Sequence, residues 1–242
     1  MATYALLGAG EFEPWSEVVD RAILERSPNR DGTVLVLPTA SAHEGDTVFR
    51  GWGDKGVEHY RSLGLPVTFL ELRTSEDADD ERFVRALDDA SFVFFSGGNP
   101  ARLAGALVAS AFWEALQDRM RGGLPYAGCS AGVAVLTERT FDSEVGVFGD
   151  EVWAPGLGFV RRAVFGPHWD MVDRWFPGAT DFIVASVREG EVFVGLDEDT
   201  AIVGDGTSWS VLGRQKIHVR RDGEWTSYAD GDAFELPLDI AL

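Results

Sequence analysis

The sequence has a single cysteine, Cys129, and it has no apolar stretch of the roughly 20 residues that a membrane-spanning helix needs. One cysteine excludes an intramolecular disulfide and a zinc site built from several cysteines. The first fifteen residues, MATYALLGAGEFEPW, also lack the basic segment and long apolar run of a secretory signal. These features predict a cytoplasmic protein that does not enter a membrane.

Basic residues are scarce: 21 lysines and arginines face 40 acidic residues, for a net charge of −19. Such an excess repels phosphate backbones and anionic lipid, so nucleic acid and membranes are not expected partners. The chain also lacks proline-rich or serine-rich linkers, internal repeats and low-complexity tracts. We therefore expect one domain over residues 1–242.

Short apolar runs alternate with helix-like segments through the first two-thirds of the chain. The predicted strands are residues 4–8, 33–37, 67–72, 91–95 and 125–129. The predicted helices are residues 17–25, 54–63, 80–87, 102–120 and 131–136. Continuously apolar strands that alternate with helices are typical of an α/β fold, with a mostly parallel sheet covered by helices on both faces.

The pattern changes after about Phe141, where short β-like runs are separated by Gly and Asp. These runs are residues 191–194, 200–203, 208–212 and 217–219. Their spacing predicts antiparallel hairpins appended to the sheet at the C-terminal end.

Residues 128–132 read GCSAG, a match to the G-x-S-x-G pattern of a nucleophile elbow. The pattern follows a predicted strand and precedes a helix-compatible run, as an elbow requires. Its central residue, Ser130, is the candidate nucleophile, and the Ala131 N–H would face a developing oxyanion. Cys129 is a rival because thiols are stronger nucleophiles, but a lone cysteine is usually a small buried apolar residue.

A second glycine turn, residues 96–99 (SGGN), follows the strand at 91–95. Glycines at the carboxyl end of a strand let the backbone approach a ligand closely and turn N–H groups toward it. Ligands of open α/β sheets collect beyond those strand ends.

A serine nucleophile needs a base, and the chain has four histidines. His168 follows an apolar run and is the favoured base, while His43, beyond the strand at 33–37, is the alternative. His59 is expected to be exposed on a polar helix, and His218 to be structural. The sequence spacing alone does not choose the acid of a triad.

Six segments follow in order along nearly the whole chain: residues 8–10 (GAG), 37–41 (LPTAS), 96–99 (SGGN), 128–132 (GCSAG), 167–169 (PHW) and 195–201 (GLDEDTA). Together they resemble the peptidase E / cyanophycinase family of serine peptidases. The resemblance implies a fold like the class I glutamine amidotransferase domain.

The resemblance also implies roles for particular residues. The nucleophile falls on Ser130, the histidine on His168, and the oxyanion donors on the backbone of Gly98 and Ala131. The cyanophycinase branch points to Glu198 as the acid, which we favour because residues 195–201 match closely. The peptidase E branch points instead to Asp142 or Glu144.

The expected substrate contacts come from Gly97, Asn99 and Arg174, the last as an anchor for a carboxylate. Pro100, Gly166 and Pro167 depart from the family patterns, so the substrate is less constrained than the class of enzyme.

The predicted activity is hydrolysis of an amide bond in a short peptide, by a dipeptidase or an isopeptidase, with no cofactor and no metal. The alternative is a catalytically silent binding or sensor protein on the same fold. A third hypothesis is glutamine amidotransfer through Cys129. The sequence leaves the oligomeric state open, a homodimer included.

Overall fold

The computed structural model describes residues 2–145 and 149–241. The helices are α1 (Glu17–Leu24), α2 (Asp46–Ser62), α3 (Ser75–Ala78), α4 (Glu81–Ala86), α5 (Pro100–Leu107), α6 (Ala111–Arg121), α7 (Ala131–Ala134), α8 (Val172–Trp175) and α9 (Ala179–Ser186). The strands are β1 (Tyr4–Leu7), β2 (Thr33–Leu37), β3 (Val67–Phe69), β4 (Ala90–Phe95), β5 (Tyr126–Cys129), β6 (Arg139–Phe141), β7 (Trp153–Pro155), β8 (Val160–Arg161), β9 (Ala163–Pro167), β10 (Val192–Leu196), β11 (Thr200–Gly204), β12 (Ser208–Gly213), β13 (Lys216–Arg221), β14 (Glu224–Ala229), β15 (Ala233–Glu235) and β16 (Asp239–Ile240). No helix within these ranges is long and apolar enough to cross a membrane.

The central sheet has the strand order β15-β12-β11-β1-β5-β4-β2-β3. Strands β1 to β5 run parallel to one another, and β11, β12 and β15 extend the sheet by antiparallel pairing. The predicted α/β class with a mostly parallel sheet is confirmed.

Both faces of this sheet are buried, because successive side chains of each strand point to opposite sides. In β1, Tyr4 and Leu6 pack into one apolar cluster, while Ala5 and Leu7 pack into another. Helix α1 covers the second cluster with Val19, and α5 and α6 cover the first. Helices therefore lie on both faces, as predicted.

A second sheet, with the order β14-β13-β10-β9, lies outside the sequence prediction. The antiparallel hairpins predicted at the C-terminal end are confirmed, since β11 pairs with β12 and β13 pairs with β14. The runs at 191–194 and 217–219 were expected on the main sheet, and they lie in the second sheet instead. Strand β10 pairs in parallel with β9 and antiparallel with β13. Alternating apolar runs specify a strand and its buried face, but they do not specify the partner strand.

The single helix predicted at residues 102–120 is two helices, α5 and α6. Ala109, with φ at 57°, is in the left-handed region and interrupts the helical path. Ser110 then begins α6 by accepting a hydrogen bond on its hydroxyl from the Trp113 N–H. A serine in this role is a helix N-cap, a signal that the apolar periodicity on either side concealed.

Candidate active site

The carboxyl ends of three adjacent parallel strands meet at one edge of the sheet. Strands β1, β5 and β4 are neighbours, with Leu7 opposite Cys129 and Phe95 opposite Gly128. The segments that follow them therefore share this edge. They carry Glu11, Ser130 and the two glycines of the SGGN turn.

Ser130 occupies the sharp turn between β5 and α7, with φ at 52° and ψ at −106°. A non-glycine residue in that region costs on the order of 1–3 kcal/mol, so the surroundings must hold it. The Ser130 N–H donates to the Leu7 carbonyl at 3.1 Å, and its carbonyl accepts from Val133 and Ala134, each at 3.0 Å. The turn presents the hydroxyl beyond the sheet.

Both outer glycines of GCSAG are required by close packing. A Cβ on Gly128 would lie 2.4 Å from the Gly132 carbonyl oxygen, and one on Gly132 would lie 2.4 Å from the Phe95 carbonyl oxygen. No side chain fits at those distances. The sequence motif thus reflects how tightly α7 packs on β4 and β5.

Ser130, His168 and Glu198 form a continuous hydrogen-bonded chain. The Ser130 Oγ lies 2.6 Å from His168 Nε2, and His168 Nδ1 lies 3.1 Å from Glu198 Oε1. A carboxylate only accepts, so this contact assigns the imidazole proton to Nδ1 and leaves Nε2 to accept the serine proton. The three predicted triad residues are therefore brought together.

The parallel pairing of β9 with β10 explains why His168 and Glu198 meet. Pro167, at the end of β9, is opposite Leu196, at the end of β10. His168 comes directly after the end of β9, and Glu198 comes one residue after the end of β10, so the two side chains lie side by side. The second sheet carries the base and the acid, and the main sheet carries the nucleophile.

Asp170 and Gln215 hold the turn that carries Glu198. The Asp170 carboxylate accepts from the Glu198 N–H at 2.9 Å and from Gln215 Nε2 at 3.0 Å. Gln215 also donates to the Glu198 carbonyl at 3.1 Å. Neither residue stood out in the sequence, because their relation to Glu198 exists only in the fold.

The other two candidate acids have different partners. Asp142 accepts from Asn99 Nδ2 at 2.8 Å, and Glu144 pairs with Arg102 at the surface. The Asn99 side chain, and then the Glu144 N–H, hold the pKa of Asp142 below its usual value. His43, the alternative base, lies 3.9 Å from Glu144.

Glu11 is a site residue that the sequence analysis missed. Its side chain is 4% exposed; Oε1 accepts from the Gly97 N–H at 2.9 Å, and Oε2 accepts from the Cys129 thiol at 3.0 Å. It therefore ties the glycine turn to the strand that carries Ser130. An acidic residue directly after the glycines that end β1 is the signal that could have identified it.

Cys129 turns its side chain into the apolar cluster on one face of the sheet. Its side chain is fully buried in the same apolar cluster as Ala5 and Leu7. Burial, followed by the neighbouring Glu11 carboxylate, raises the pKa of the Cys129 thiol well above its usual value. A protonated, inaccessible thiol is a poor nucleophile.

The two predicted oxyanion donors have their N–H groups available. Within residues 2–145 and 149–241, no protein acceptor takes a hydrogen bond from the N–H of Gly98 or of Ala131. Gly97 differs, because its N–H is already donated to Glu11. A Cβ at Gly97 would lie 3.8 Å from Ser130 Oγ, so the turn runs directly beside the nucleophile.

Asn99 and Arg174 were expected to contact substrate, and the structure does not bring either one to the cavities beside Ser130. Asn99 is 1% exposed; its Oδ1 caps α5 by accepting from the Ala101 and Arg102 N–H groups. Arg174 is exposed, with its guanidinium against Met171 Sδ. It lies one position before Trp175 on α8, about 100° around the helix, and so points elsewhere.

The remaining histidines have structural contacts. His59 was expected to be exposed, but its side chain is 8% exposed and lies 2.8 Å from the buried Asp20 carboxylate. Helix α2 turns this residue toward α1, which the polar composition of the segment did not indicate. His218 contacts Asp197 and Ser227, as a structural residue would.

Two cavities meet at Ser130, His168 and Gly98. The apolar cavity, of about 210 Å³, is walled by Ala134, Phe141, Val172, Trp175, Phe176 and Ile183. The polar cavity, of about 450 Å³, is lined by Glu11, Trp52, Lys55, Glu198 and Asp199. The nucleophile thus stands between an apolar compartment and a charged one.

The family model of peptidase family S51 matches residues 4–212, which include Glu11, Ser130, His168 and Glu198. The chain belongs to peptidase family S51. As an S51 member it is a serine-type peptidase, a hydrolase, and the resemblance inferred from its motifs is confirmed.

Relatives of this S51 peptidase carry both names found in the family. It is 26% identical over 223 residues to the cyanophycinase of Nostoc sp. (strain PCC 7120). The aligned region covers 88% of this chain and 72% of the relative. It is 54% identical to peptidase E of Streptomyces coelicolor, but over only 46 residues, 19% of each chain.

A solved structure also resembles the S51 peptidase over nearly its full length. The crystal structure of a peptidase from an acI-B1 Actinobacterium superposes with a TM-score of 0.88 at 26% identity. The match covers 98% of this chain and 97% of that one. The overall fold is thus shared with a peptidase.

Proposed function

We propose that the chain hydrolyses an amide bond in a short peptide, with Ser130, His168 and Glu198 as its catalytic triad. The proposal rests on two contacts. Ser130 Oγ lies 2.6 Å from His168 Nε2, and His168 Nδ1 lies 3.1 Å from Glu198 Oε1. A hydroxyl so connected can lose its proton to His168 as it attacks a carbonyl.

The reaction then follows from the groups around Ser130. Attack by Oγ makes a tetrahedral oxyanion, which the N–H groups of Gly98 and Ala131 stabilise. His168, now protonated and held by Glu198, returns the proton to the departing amine. Water, deprotonated by the same imidazole, releases the acyl group from Ser130 and regenerates the enzyme.

The size of the cavities supports a short substrate. The apolar cavity has about 210 Å³ and the polar one about 450 Å³, and both end at the nucleophile. Such compartments fit the residues on either side of one scissile bond. A dipeptide, the end of a longer peptide and an isopeptide all satisfy this limit.

A fluorophosphonate probe tests the proposal directly, because it phosphonylates only an activated serine. We expect one adduct, mapped by mass spectrometry to Ser130, that is absent in Ser130→Ala. Cys129→Ser is the matched control and should still be modified, because the side chain at position 129 is buried in an apolar cluster and lines neither cavity beside Ser130.

A dipeptide library with product identification completes the test. The wild-type protein should release amino acids from some members, and Ser130→Ala should release none. Turnover that persists in Ser130→Ala, or an adduct on another residue, would overturn the assignment of the nucleophile.

A further inference from the structure

The apolar cavity carries information about the substrate that the family motifs do not. Within the described residues, its lining includes no Asp, Glu, Lys or Arg side chain. The polar groups that border it are Ser143 and, at its inner end, the catalytic pair Ser130 and His168. A charged substrate side chain placed here would lose its hydration without gaining an ionic partner.

The polar cavity on the other side of Ser130 has the opposite character. Glu11, Glu198 and Asp199 contribute carboxyl groups to it, and the one cation in its described lining, Lys55, already pairs with Glu13 at 2.7 Å. Positively charged or amine-bearing groups suit that side. The two sides of the nucleophile therefore select for different chemistry.

Two exposed aromatic side chains stand in the wall of the apolar cavity. Trp175 is 49% exposed and Phe176 is 43% exposed, and both belong to the segment that begins with α8. Exposed apolar side chains grouped beside a cavity are typical of a ligand-binding groove. The Trp175 ring also lies 5.2 Å from the His168 ring, so whatever covers it reaches the catalytic base.

The volume of the cavity limits what can fill it. Its 210 Å³ is below the roughly 300–1,000 Å³ of pockets that hold a whole drug-sized ligand, so it suits a single side chain. Ala131, whose N–H faces the oxyanion, lies in its wall, and Ala134 follows one turn later. Ala131 lines this cavity and not the polar one, which favours the residue whose carbonyl is attacked as the source of a side chain that enters here.

We propose that the apolar cavity binds the side chain of the residue that contributes the scissile carbonyl, and that this side chain is aliphatic or aromatic. The inference rests on the proposed function, since it assumes that Ser130 is acylated. It assigns Trp175, Val172 and Ile183 as residues that determine specificity, and it makes an acidic residue a poor substrate at this position.

Aminoacyl coumarin amides test the inference, because they vary the acyl residue while the leaving group stays constant. We expect kcat/KM for the Leu and Phe amides to exceed that for the Ala and Asp amides by about tenfold or more, the discrimination typical of an apolar pocket. The fluorophosphonate adduct on Ser130 is measured on the same protein, so acylation is assessed independently of the substrate.

Trp175→Ala tests the wall of the cavity. The variant should lower kcat/KM for the Phe amide by about tenfold relative to the Ala amide, because it removes contact area that only the larger side chain uses. Val18→Ala, on α1 and similarly exposed at 48%, is the matched control and should leave the ratio unchanged. Circular dichroism on each variant checks folding.

The outcomes separate the two proposals. If the probe labels Ser130 but all amides are hydrolysed at equal rates, or the Asp amide is hydrolysed fastest, the apolar assignment is overturned. The proposed function then still stands. An apolar preference found only at the amine-side residue of Gly-X dipeptides overturns the acyl-side assignment. Absence of both labelling and hydrolysis overturns the proposed function and this inference with it.

Discussion

The Glu11 carboxyl group accepts a hydrogen bond from the Gly97 N–H at 2.9 Å, although the two residues are 86 positions apart. This contact fixes the glycine turn beside Ser130. Among the described residues, no protein acceptor takes the N–H of the next residue, Gly98. An oxyanion hole requires donors that are already aimed before the charge develops. Glu11 is thus a positioning residue for the proposed reaction.

Glu11→Ala should lower kcat by tenfold or more while KM changes little, because the glycine turn loses its anchor. The unpaired Gly97 N–H should also cost about 1–3 kcal/mol of stability. Glu11→Gln keeps an oxygen for Gly97 and should recover most of kcat. Steady-state kinetics and thermal unfolding on both variants check this; equal losses in the two would contradict an anchoring role.

Cys129 should be unreactive in the folded protein. Burial and the adjacent Glu11 raise the pKa of its thiol, so the thiolate fraction at neutral pH is smaller than for a free cysteine. Iodoacetamide should therefore alkylate it slowly under native conditions and rapidly in denaturant, as read by intact mass. Cys129→Ser should keep substantial activity, and rapid native alkylation that abolishes hydrolysis would instead revive a thiol mechanism.

Glu198→Gln should lower kcat by a factor on the order of 10²–10⁴, because the imidazole loses the carboxylate that orients it and stabilises its charged form. The matched controls are Asp142→Asn and Glu144→Gln, whose side chains contact Asn99 and Arg102 instead. Loss of the exposed Arg102–Glu144 pair should change stability little, because solvent screens both charges. A Glu198→Gln enzyme that retains wild-type kcat would remove Glu198 from the triad.

Activity should fall as the pH is lowered. His168 accepts the serine proton only while Nε2 is unprotonated, so acid removes the competent form and alkali restores it. A kcat/KM profile measured from about pH 5 to 8 should rise through one ionisation, with circular dichroism showing that folding persists; a flat profile would exclude a histidine base.

Much of the fold and part of the site were predictable because they depend on local sequence. Apolar runs such as Thr33–Leu37 identify strands buried on both faces. The GCSAG turn identifies Ser130, because α7 can pack on β4 and β5 only if positions 128 and 132 have no side chain. The prediction of one helix failed where the apolar periodicity continues across a helix cap, at Ala109 and Ser110.

The tertiary structure alone decided the relationships between distant segments. Strand pairing of β9 with β10 brings His168 to Glu198, and pairing of β1 with β5 brings Glu11 to Cys129. The apolar cavity likewise combines walls from α7, α8 and α9. The sequence by itself determined which residues carry the chemistry, through short motifs and their flanking strands. Which partner each of those residues meets depends on strand order and register, and neither is encoded within one segment.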